Sequence, residues 1–284
     1  MLLMSRRPYR PDRPGTLSGM PEGDTLHKTA ARLKPALQGH VLTRFEAPRL
    51  VGDAPKLGEQ IDLVEARGKH LLMHFSGGLV LQTHLRMTGS WHIYREGERW
   101  RRPAYLARVV VGSDNGWLAV CFQAPLVETH HRAGAAPAAL AALGPDLCRA
   151  ESLADAVMDE VVDRAGRLAP AGATLGEALL DQRIAAGIGN VYKSEACFAV
   201  RVDPGTRLER VDDVTRRRVW SVAARQLQAN LGQAERRTHP AGLAVYGRRG
   251  QPCRRCGTPI LMARHGEQAR STYWCPTCQP EPRE

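Results

Sequence analysis

The chain has 284 residues, enough for two lobes with separate cores, and its 40 basic residues against 29 acidic ones leave a formal charge of +11. A surplus of that size points to a polyanionic partner, nucleic acid before membrane, and no apolar run reaches the ~18 residues that would read as a membrane-spanning helix. The basic residues are overwhelmingly arginine. Lys28, Lys34, Lys56, Lys69 and Lys193 are the only lysines, which makes each of them less expected as surface filler.

Residues 1–19 alternate Arg6, Arg7, Arg10 and Arg13 with Pro8, Pro11 and Pro14 and hold no apolar stretch long enough for a signal peptide. They read as a disordered leader or a mis-called start, because Met20-Pro21-Glu22-Gly23-Asp24-Thr25 has the look of a chain beginning. Removal of Met20 would give Pro21 a free secondary amine with a carboxylate one residue away. An α-amino group titrates at about 7.7–8.0, so a usable fraction is unprotonated near neutral pH and can attack an aldehyde-like carbon such as a sugar C1′. Glu22 would then move the protons that bond cleavage requires. A loop proline ahead of a helix is the bland alternative, and the rest of the chain decides between the two.

Asp24 or Thr25 can cap a helix whose apolar positions Leu26, Ala30, Leu33 and Leu37 recur every three to four residues, and Gly39 stops it. From Val41 to about Phe122 the pattern changes to strands. Segments 70–75 and 79–84 flank Gly77-Gly78, and segments 106–111 and 117–122 flank Asp114-Asn115-Gly116. These are hairpin signatures, and several short strands of this kind predict an antiparallel sandwich. After Ala124-Pro125 the composition moves to Ala and Leu. Helices are expected over 137–143, 152–164 with a Ser152-x-x-Asp155 capping box, 174–183, 190–198 and 212–231, with a hinge between 130 and 150. Cys121, Cys148 and Cys197 stand alone in apolar surroundings and read as buried thiols of a reduced, intracellular protein.

Two motifs in the second half carry chemistry. In Ala186-Gly-Ile-Gly-Asn190-Val-Tyr-Lys193, Gly187 and Gly189 allow a tight turn, and the N–H groups at the start of the next helix make an anion site suited to a DNA phosphate. A Gly-x-Gly turn is weak evidence by itself, and Asn190 could simply be an N-cap. The spacing Cys253-x2-Cys256-x18-Cys275-x2-Cys278 is a stronger signal, since two such knuckles supply four thiolates for a tetrahedral, closed and therefore structural Zn2+. Arg264, His265 and Arg270 lie between the knuckles, where a rigid loop offering arginine suits phosphate contact.

In order along the chain, the Pro21-Glu22-Gly23 start, the Gly68-Lys69 pair between strands, the Gly-Ile-Gly-Asn turn and the four-Cys hairpin resemble the formamidopyrimidine-DNA glycosylase / endonuclease VIII (Fpg/Nei) family of base-excision repair enzymes. The resemblance covers residues 20 to about 279. It implies an α+β fold of two lobes: an antiparallel β-sandwich with the N-terminal helix (20–131), a helix–two-turn–helix DNA-binding lobe (132–245), and a zinc finger and tail (246–284), with DNA in the cleft between lobes. Carried over by position, it implies Pro21 as nucleophile, Glu22 as adjacent acid and Lys69 as the lysine on the phosphate beside the lesion. Asn190 matches the phosphate-binding asparagine and Arg270 the finger arginine that grips phosphates around a flipped nucleotide, with Lys193 counted among the DNA contacts. Met87, in His84-Leu-Arg-Met-Thr-Gly89, matches the wedge that fills the gap left by an extruded base, against the alternative of core packing. The expected partner is damaged DNA, met by a monomer in a bacterial-type cytoplasm, and the expected cofactor is one structural Zn2+.

Two departures from the family pattern stand out. The glutamate that often lies four residues after the proline is Thr25 here, with Asp24 adjacent but not equivalent. The Asp-Pro-Arg-Arg-Phe segment of the purine-specific branch is replaced by Cys121-Phe-Gln-Ala-Pro-Leu-Val-Glu128, which resembles the endonuclease VIII side, where Glu128 also fits. Oxidised pyrimidines are therefore the favoured substrates, although the His-Leu-Arg-Met run leans towards purines. The implied reaction is base removal followed by β- and δ-elimination. The rivals are a non-catalytic sensor of damaged DNA, which needs no amine at Pro21, and a zinc-ribbon transcription factor, which explains only the C-terminal finger.

Overall fold

The structure is a computed structural model that describes residues 21–266 and 269–280. The expected leader lies outside the described residues.

Helix α1 (Gly23–Leu37) buries Leu26, Ala30, Leu33, Ala36 and Leu37 on one face, and the chain turns away at Gly39, whose φ of +83° suits glycine. The cap is Glu22 and not the expected Asp24 or Thr25, both of which lie inside the first turn. Strands β1 (Leu42–Glu46), β2 (Ile61–Arg67), β3 (His70–Phe75), β4 (Leu79–His84), β5 (Ser90–Arg95), β6 (Ala107–Ser113), β7 (Trp117–Phe122) and β8 (Leu126–His131) follow. They form two four-stranded antiparallel sheets, ordered β1-β6-β7-β5 and β2-β3-β4-β8. The inner faces of both sheets and the buried face of α1 share one core, which includes Leu33, Val64, Met73, Phe75, Leu81, Val109 and Ala119. Strands β3 and β4 are buried almost throughout because they are covered twice: Leu72 and Val80 on their outer side pack against Leu140, Leu143 and Ala186 of the second lobe.

The strand registers bring a set of loops to one end of this sandwich. His70, just after Lys69, pairs with His84 at the end of β4, and His84 pairs with Leu126 at the start of β8. In the other sheet, Phe122 at the end of β7 pairs with Ser90 and with Ala107, the first residues of β5 and β6. Lys69, the 85–89 loop, the 123–125 turn and the segment just before Ala107 therefore share that end.

The second lobe contains α2 (Ala138–Ala141), α3 (Asp155–Leu168), α4 (Leu175–Leu180), α5 (Asn190–Val200) and α6 (Asp213–Ala229) around a core with Trp220, Tyr192 and Leu227 at its centre. Here the expected boundaries need correction. The 137–143 helix shrinks to a single turn, and the Ser152 capping box does not form. Ser152 Oγ donates to Leu147 O (3.2 Å), and α3 starts later behind Ala154 with no side-chain cap. The working caps are Thr174, which exchanges bonds with Glu177 (2.8 and 3.2 Å), and Asp212, which accepts from Thr215 N (2.8 Å). Strands β9 (Leu261–His265) and β10 (Arg270–Trp274) make the finger hairpin. The observed α+β architecture of sandwich, helical lobe and finger is the expected one. Among the described residues no helix is long and apolar enough to cross a membrane.

Glu195 shows how the helical lobe holds its loops. Its buried carboxylate accepts from Ala244 N, Val245 N and Tyr246 N, each at 2.8 Å, and from Thr238 Oγ1. Glu195→Ala would strand these buried donors, so a loss of about 3 kcal/mol is expected, read by urea denaturation; a loss under ~0.5 kcal/mol contradicts this account.

Candidate active site

The two lobes meet at the first described residues. Gly23 N donates to Gly187 O (2.9 Å), and the Glu22 carboxylate accepts from Gly189 N (3.0 Å), Val191 N (2.8 Å) and Tyr192 N (3.4 Å). These N–H groups form the N-terminus of α5, where unpaired donors and the helix dipole favour an anion. The anion site that the Gly-Ile-Gly-Asn turn predicts is thus real, but the anion it holds is Glu22 itself. Close approach dictates the glycines. A Cβ on Gly189 would lie 2.4 Å from the Glu22 carboxyl carbon, and one on Gly23 would lie 2.7 Å from the Gly187 Cα and 2.8 Å from the Cys148 sulfur. Burial raises the Glu22 pKa above its ordinary value, while the charges of Arg236 and Lys69 and the Val191 N–H oppose the rise. A carboxyl group held this way keeps its proton to a higher pH than a free glutamate does. Pro21, half-buried, is covalently next to it.

Lys69 is brought to the same junction by the tight β2–β3 turn. Gly68 has a φ of +56°, and its N–H donates to Asp146 Oδ2 (2.8 Å) across the lobe boundary. Asp146 also meets His27 Nε2 (2.9 Å) of α1 and accepts from Cys148 N (3.0 Å), so one buried carboxylate ties the turn, α1 and the second lobe together. The Lys69 ammonium donates to Ile188 O (2.5 Å), inside the glycine turn. Burial, reinforced by Arg270 and Arg236 and opposed by Glu22, brings its pKa down to about 8. Beside it, burial and neighbouring positive charge hold His70 and His84 near 4, so this ring pair, with centroids 4.8 Å apart, is neutral at pH 7.

The missing glutamate at Thr25 has a structural answer. Arg236, from the segment after α6, donates to both oxygens of buried Asp24 (2.6 and 2.9 Å) and to Thr25 Oγ1 (2.7 Å), with Tyr192 below its guanidinium. Burial alone would raise the Asp24 pKa, but the bonds and charge of Arg236 hold it below the ordinary value. Sequence reasoning missed Arg236 and Asp146. Both sit in unremarkable loops, and the only available signal was that Asp24 follows Gly23 without an obvious partner.

The remaining expected residues divide. Met87 stands 61% exposed in the β4–β5 loop, at the sandwich end that carries Lys69, so core packing is ruled out for it. Asn190 is buried as the first residue of α5. Arg270 opens β10 and lies close enough to Lys69 for its charge to depress the lysine. Lys193, expected among the DNA contacts, is instead buried against the finger, where its ammonium donates to Thr272 Oγ1 (2.7 Å) and Ser271 O (3.2 Å) of β10. The sulfurs of Cys253, Cys256, Cys275 and Cys278 cluster within 4.8 Å of one another, a donor set suited to a tetrahedral metal ion.

A sandwich and a helical lobe joined through a buried carboxylate, with a four-thiolate finger beside them, define the class of two-lobed DNA-repair glycosylases. Three family models match: the formamidopyrimidine-DNA glycosylase N-terminal domain over residues 20–122, its H2TH domain over 144–239, and the zinc finger found in FPG and IleRS over 250–280. The chain belongs to the Fpg/Nei family, on its endonuclease VIII side. It is 42% identical to a probable endonuclease 8 2 of Streptomyces coelicolor, covering 93% of this chain and 95% of that one. It is 37% identical to the DNA-(apurinic or apyrimidinic site) lyase Nei2 of Mycolicibacterium smegmatis, covering 92% and 99%. Among solved structures, MutM (Fpg) of Thermus thermophilus aligns with a TM-score of 0.73 at 27% identity, over 93% of this chain and all of that one.

Gly189→Ala should cost at least ~2 kcal/mol, because Glu22 has nowhere to retreat. Gly166→Ala in α3, where a Cβ meets nothing within 4 Å, should gain about 0.5–1 kcal/mol. Equal denaturation midpoints for the two variants would remove the steric argument.

Proposed function

We propose that the chain is a bifunctional DNA glycosylase and AP lyase of base-excision repair that removes oxidised bases, pyrimidines preferred, and nicks the strand by β,δ-elimination. The observation that carries this reading is the junction itself: Pro21 beside a buried Glu22 of raised pKa, with Lys69 delivered from the other side. The Pro21 nitrogen, as a secondary amine, forms a bond to C1′ as the C1′–O4′ bond breaks, Glu22 gives its proton to the released ring oxygen, and the nitrogen sheds its own proton to the Glu22 carboxylate. The base departs with the electrons of its glycosidic bond and takes up a proton. The resulting iminium acidifies the C2′ hydrogen, and loss of that proton expels the 3′ phosphate. A second elimination expels the 5′ phosphate, and hydrolysis returns the amine.

This chemistry requires an unacylated Pro21 nitrogen, since a tertiary amide has no nucleophilic lone pair. The active form is accordingly the chain that starts at Pro21, in keeping with a family match that begins at residue 20. Lys69, Asn190 and Arg270 bind phosphates around the lesion, a sequence-independent grip appropriate to repair. Met87 enters the gap left by the flipped nucleotide, and Lys193 acts by position, fixing the finger to α5. The four cysteines hold a structural Zn2+. Sulfur separations of 3.5 Å (Cys256 to Cys275 and to Cys278) and 3.9 Å (Cys253 to Cys278) suit a tetrahedron with Zn–S bonds of ~2.3 Å. The short Gln123-Ala124-Pro125 turn in place of an Arg-Phe pair supports the pyrimidine preference.

Borohydride trapping on an abasic-site oligonucleotide should cross-link the form beginning at Pro21, and Pro21→Gly should reduce the yield at least tenfold. A form retaining residues 1–20 should not cross-link; trapping of that form at the full rate removes Pro21 as nucleophile. N-terminal sequencing of natively expressed protein should likewise return Pro21.

The Lys69 pKa sets the sign of a pH effect. Its ammonium is present below about 8 and is lost as pH rises through that value. Affinity for a non-cleavable abasic analogue should therefore fall between pH 7 and pH 9, and Lys69→Met should bind weakly at both. A wild-type drop that survives unchanged in Lys69→Met assigns the effect elsewhere.

A further inference from the structure

The loop between β5 and β6 lies outside everything used so far. Residues 96–106 carry Arg99, Arg101 and Arg102 against Glu96 and Glu98, interleaved with Trp100 and Tyr105, and Arg108 follows at the start of β6. The loop is held at several points. The Trp100 ring lies 6.3 Å from Tyr94 and 5.9 Å from Phe122, and Arg101 N donates to the Tyr94 hydroxyl (3.1 Å). Arg102 Nη1 donates to Gln123 Oε1 (2.7 Å), Gln123 N donates to Leu106 O (2.9 Å), and Arg108 Nη1 donates to Tyr105 O (3.1 Å). On a backbone fixed this way Tyr105 is 79% exposed, the one exposed aromatic ring among the described residues.

Its location gives that exposure a meaning. Gln123, in the β7–β8 turn, is bonded on one side to Leu106 and Arg102 and on the other to Thr88, whose hydroxyl donates to Gln123 O (3.3 Å). Thr88 adjoins Met87, so a single residue links the Tyr105 loop to the loop of the exposed methionine. The Met87 loop and the last part of the β5–β6 loop, which carries Tyr105, both lie at the sandwich end that carries Lys69. A rigid aromatic ring among arginines is a stacking platform beside a phosphate-binding strip, because every base has a π-face and stacking tolerates any sequence.

Building on the function proposed above, we infer that Tyr105 stacks on the complementary strand, against the base left unpaired when the lesion is extruded, with the arginines of its loop facing that strand's phosphates. Met87 and Tyr105 then divide the work. The flexible apolar side chain fills the vacated space, and the ring stabilises the widowed base. The ring discriminates duplex from single-stranded substrate, and its contact depends on the identity of the opposite base through stacking strength.

The test uses the full active form and a duplex with a non-cleavable abasic analogue opposite 2-aminopurine, so that binding is read without catalysis. Wild-type binding should quench the 2-aminopurine fluorescence. Tyr105→Ala should abolish the quenching and weaken duplex binding about tenfold, while Tyr105→Phe and Tyr105→Trp retain both. Affinity for the same lesion in a single strand, and borohydride trapping on single-stranded abasic DNA, should be unchanged in Tyr105→Ala. Quenching retained in Tyr105→Ala, or an equal loss on single and double strands, overturns the inference. Failure of the wild type to trap at all instead overturns the catalytic reading and leaves the stacking result to stand or fall separately.

Discussion

A carboxylate with no solvent exposure, from the second described residue of the chain, closes the N-terminus of a helix that begins 168 positions later. Removing a charge from water is costly, and an unpartnered one would neutralise itself or open the fold. Glu22 is kept because the α5 N–H groups need an acceptor just as much, and because Arg236 and Lys69 approach from either side. Each half of the contact is unfavourable alone, so it forms only when the lobes dock in one relative position. That requirement explains why Gly23, Gly187 and Gly189 crowd together. Docking Glu22 also fixes where its neighbour Pro21 lies.

The charge arrangement around this contact is unbalanced by design of the sequence. Lys69 and Arg236 close on Glu22, Arg270 adds its charge to the same junction, and Asp24 pairs with Arg236 and Lys28. Burial is the main reason the Lys69 pKa is depressed; repulsion from Arg270 and Arg236 adds to it, and Glu22 opposes it. The neutral His70–His84 pair fits the same logic. Two rings that charged at pH 7 would add to the repulsion, and burial prevents it.

Much of this was legible in the sequence, for identifiable reasons. Sandwich hairpins announce themselves through Gly77-Gly78 and Asp114-Asn115-Gly116, because turn chemistry is local, and the finger through a cysteine spacing that few other structures use. A long helix such as α6 shows in its sequence to within two residues at either end, although its Asp212 cap does not. The Ser152 box failed because its hydroxyl had a better acceptor in Leu147 O, a partner no window of adjacent residues contains. Lys193 was assigned to DNA because it followed the glycine turn, and helical phase alone does not say that the finger would cover that face. Arg236 and Asp146 were invisible for the same cause: their importance lies in partners 212 and 78 residues distant.

The position of Lys193 also explains why α5 can serve as the central element. Asn190 to Phe198 are all buried, yet three consecutive side chains among them are polar. Lys193 reaches β10, Ser194 Oγ accepts from Tyr273 N (3.2 Å) in the same strand, and Glu195 turns to the loop at 244–246. An all-apolar helix would gain more from burial but could rotate or slide among several packings of similar energy. Directional bonds from successive residues select one rotation and one depth, which is the use of buried polar groups best supported in general. We take this as the reason the finger is stapled to α5 by a lysine rather than a leucine. Glu22 grips the N-terminus of that same helix, so the hairpin that carries Arg270 and the carboxylate beside Pro21 are held by one element.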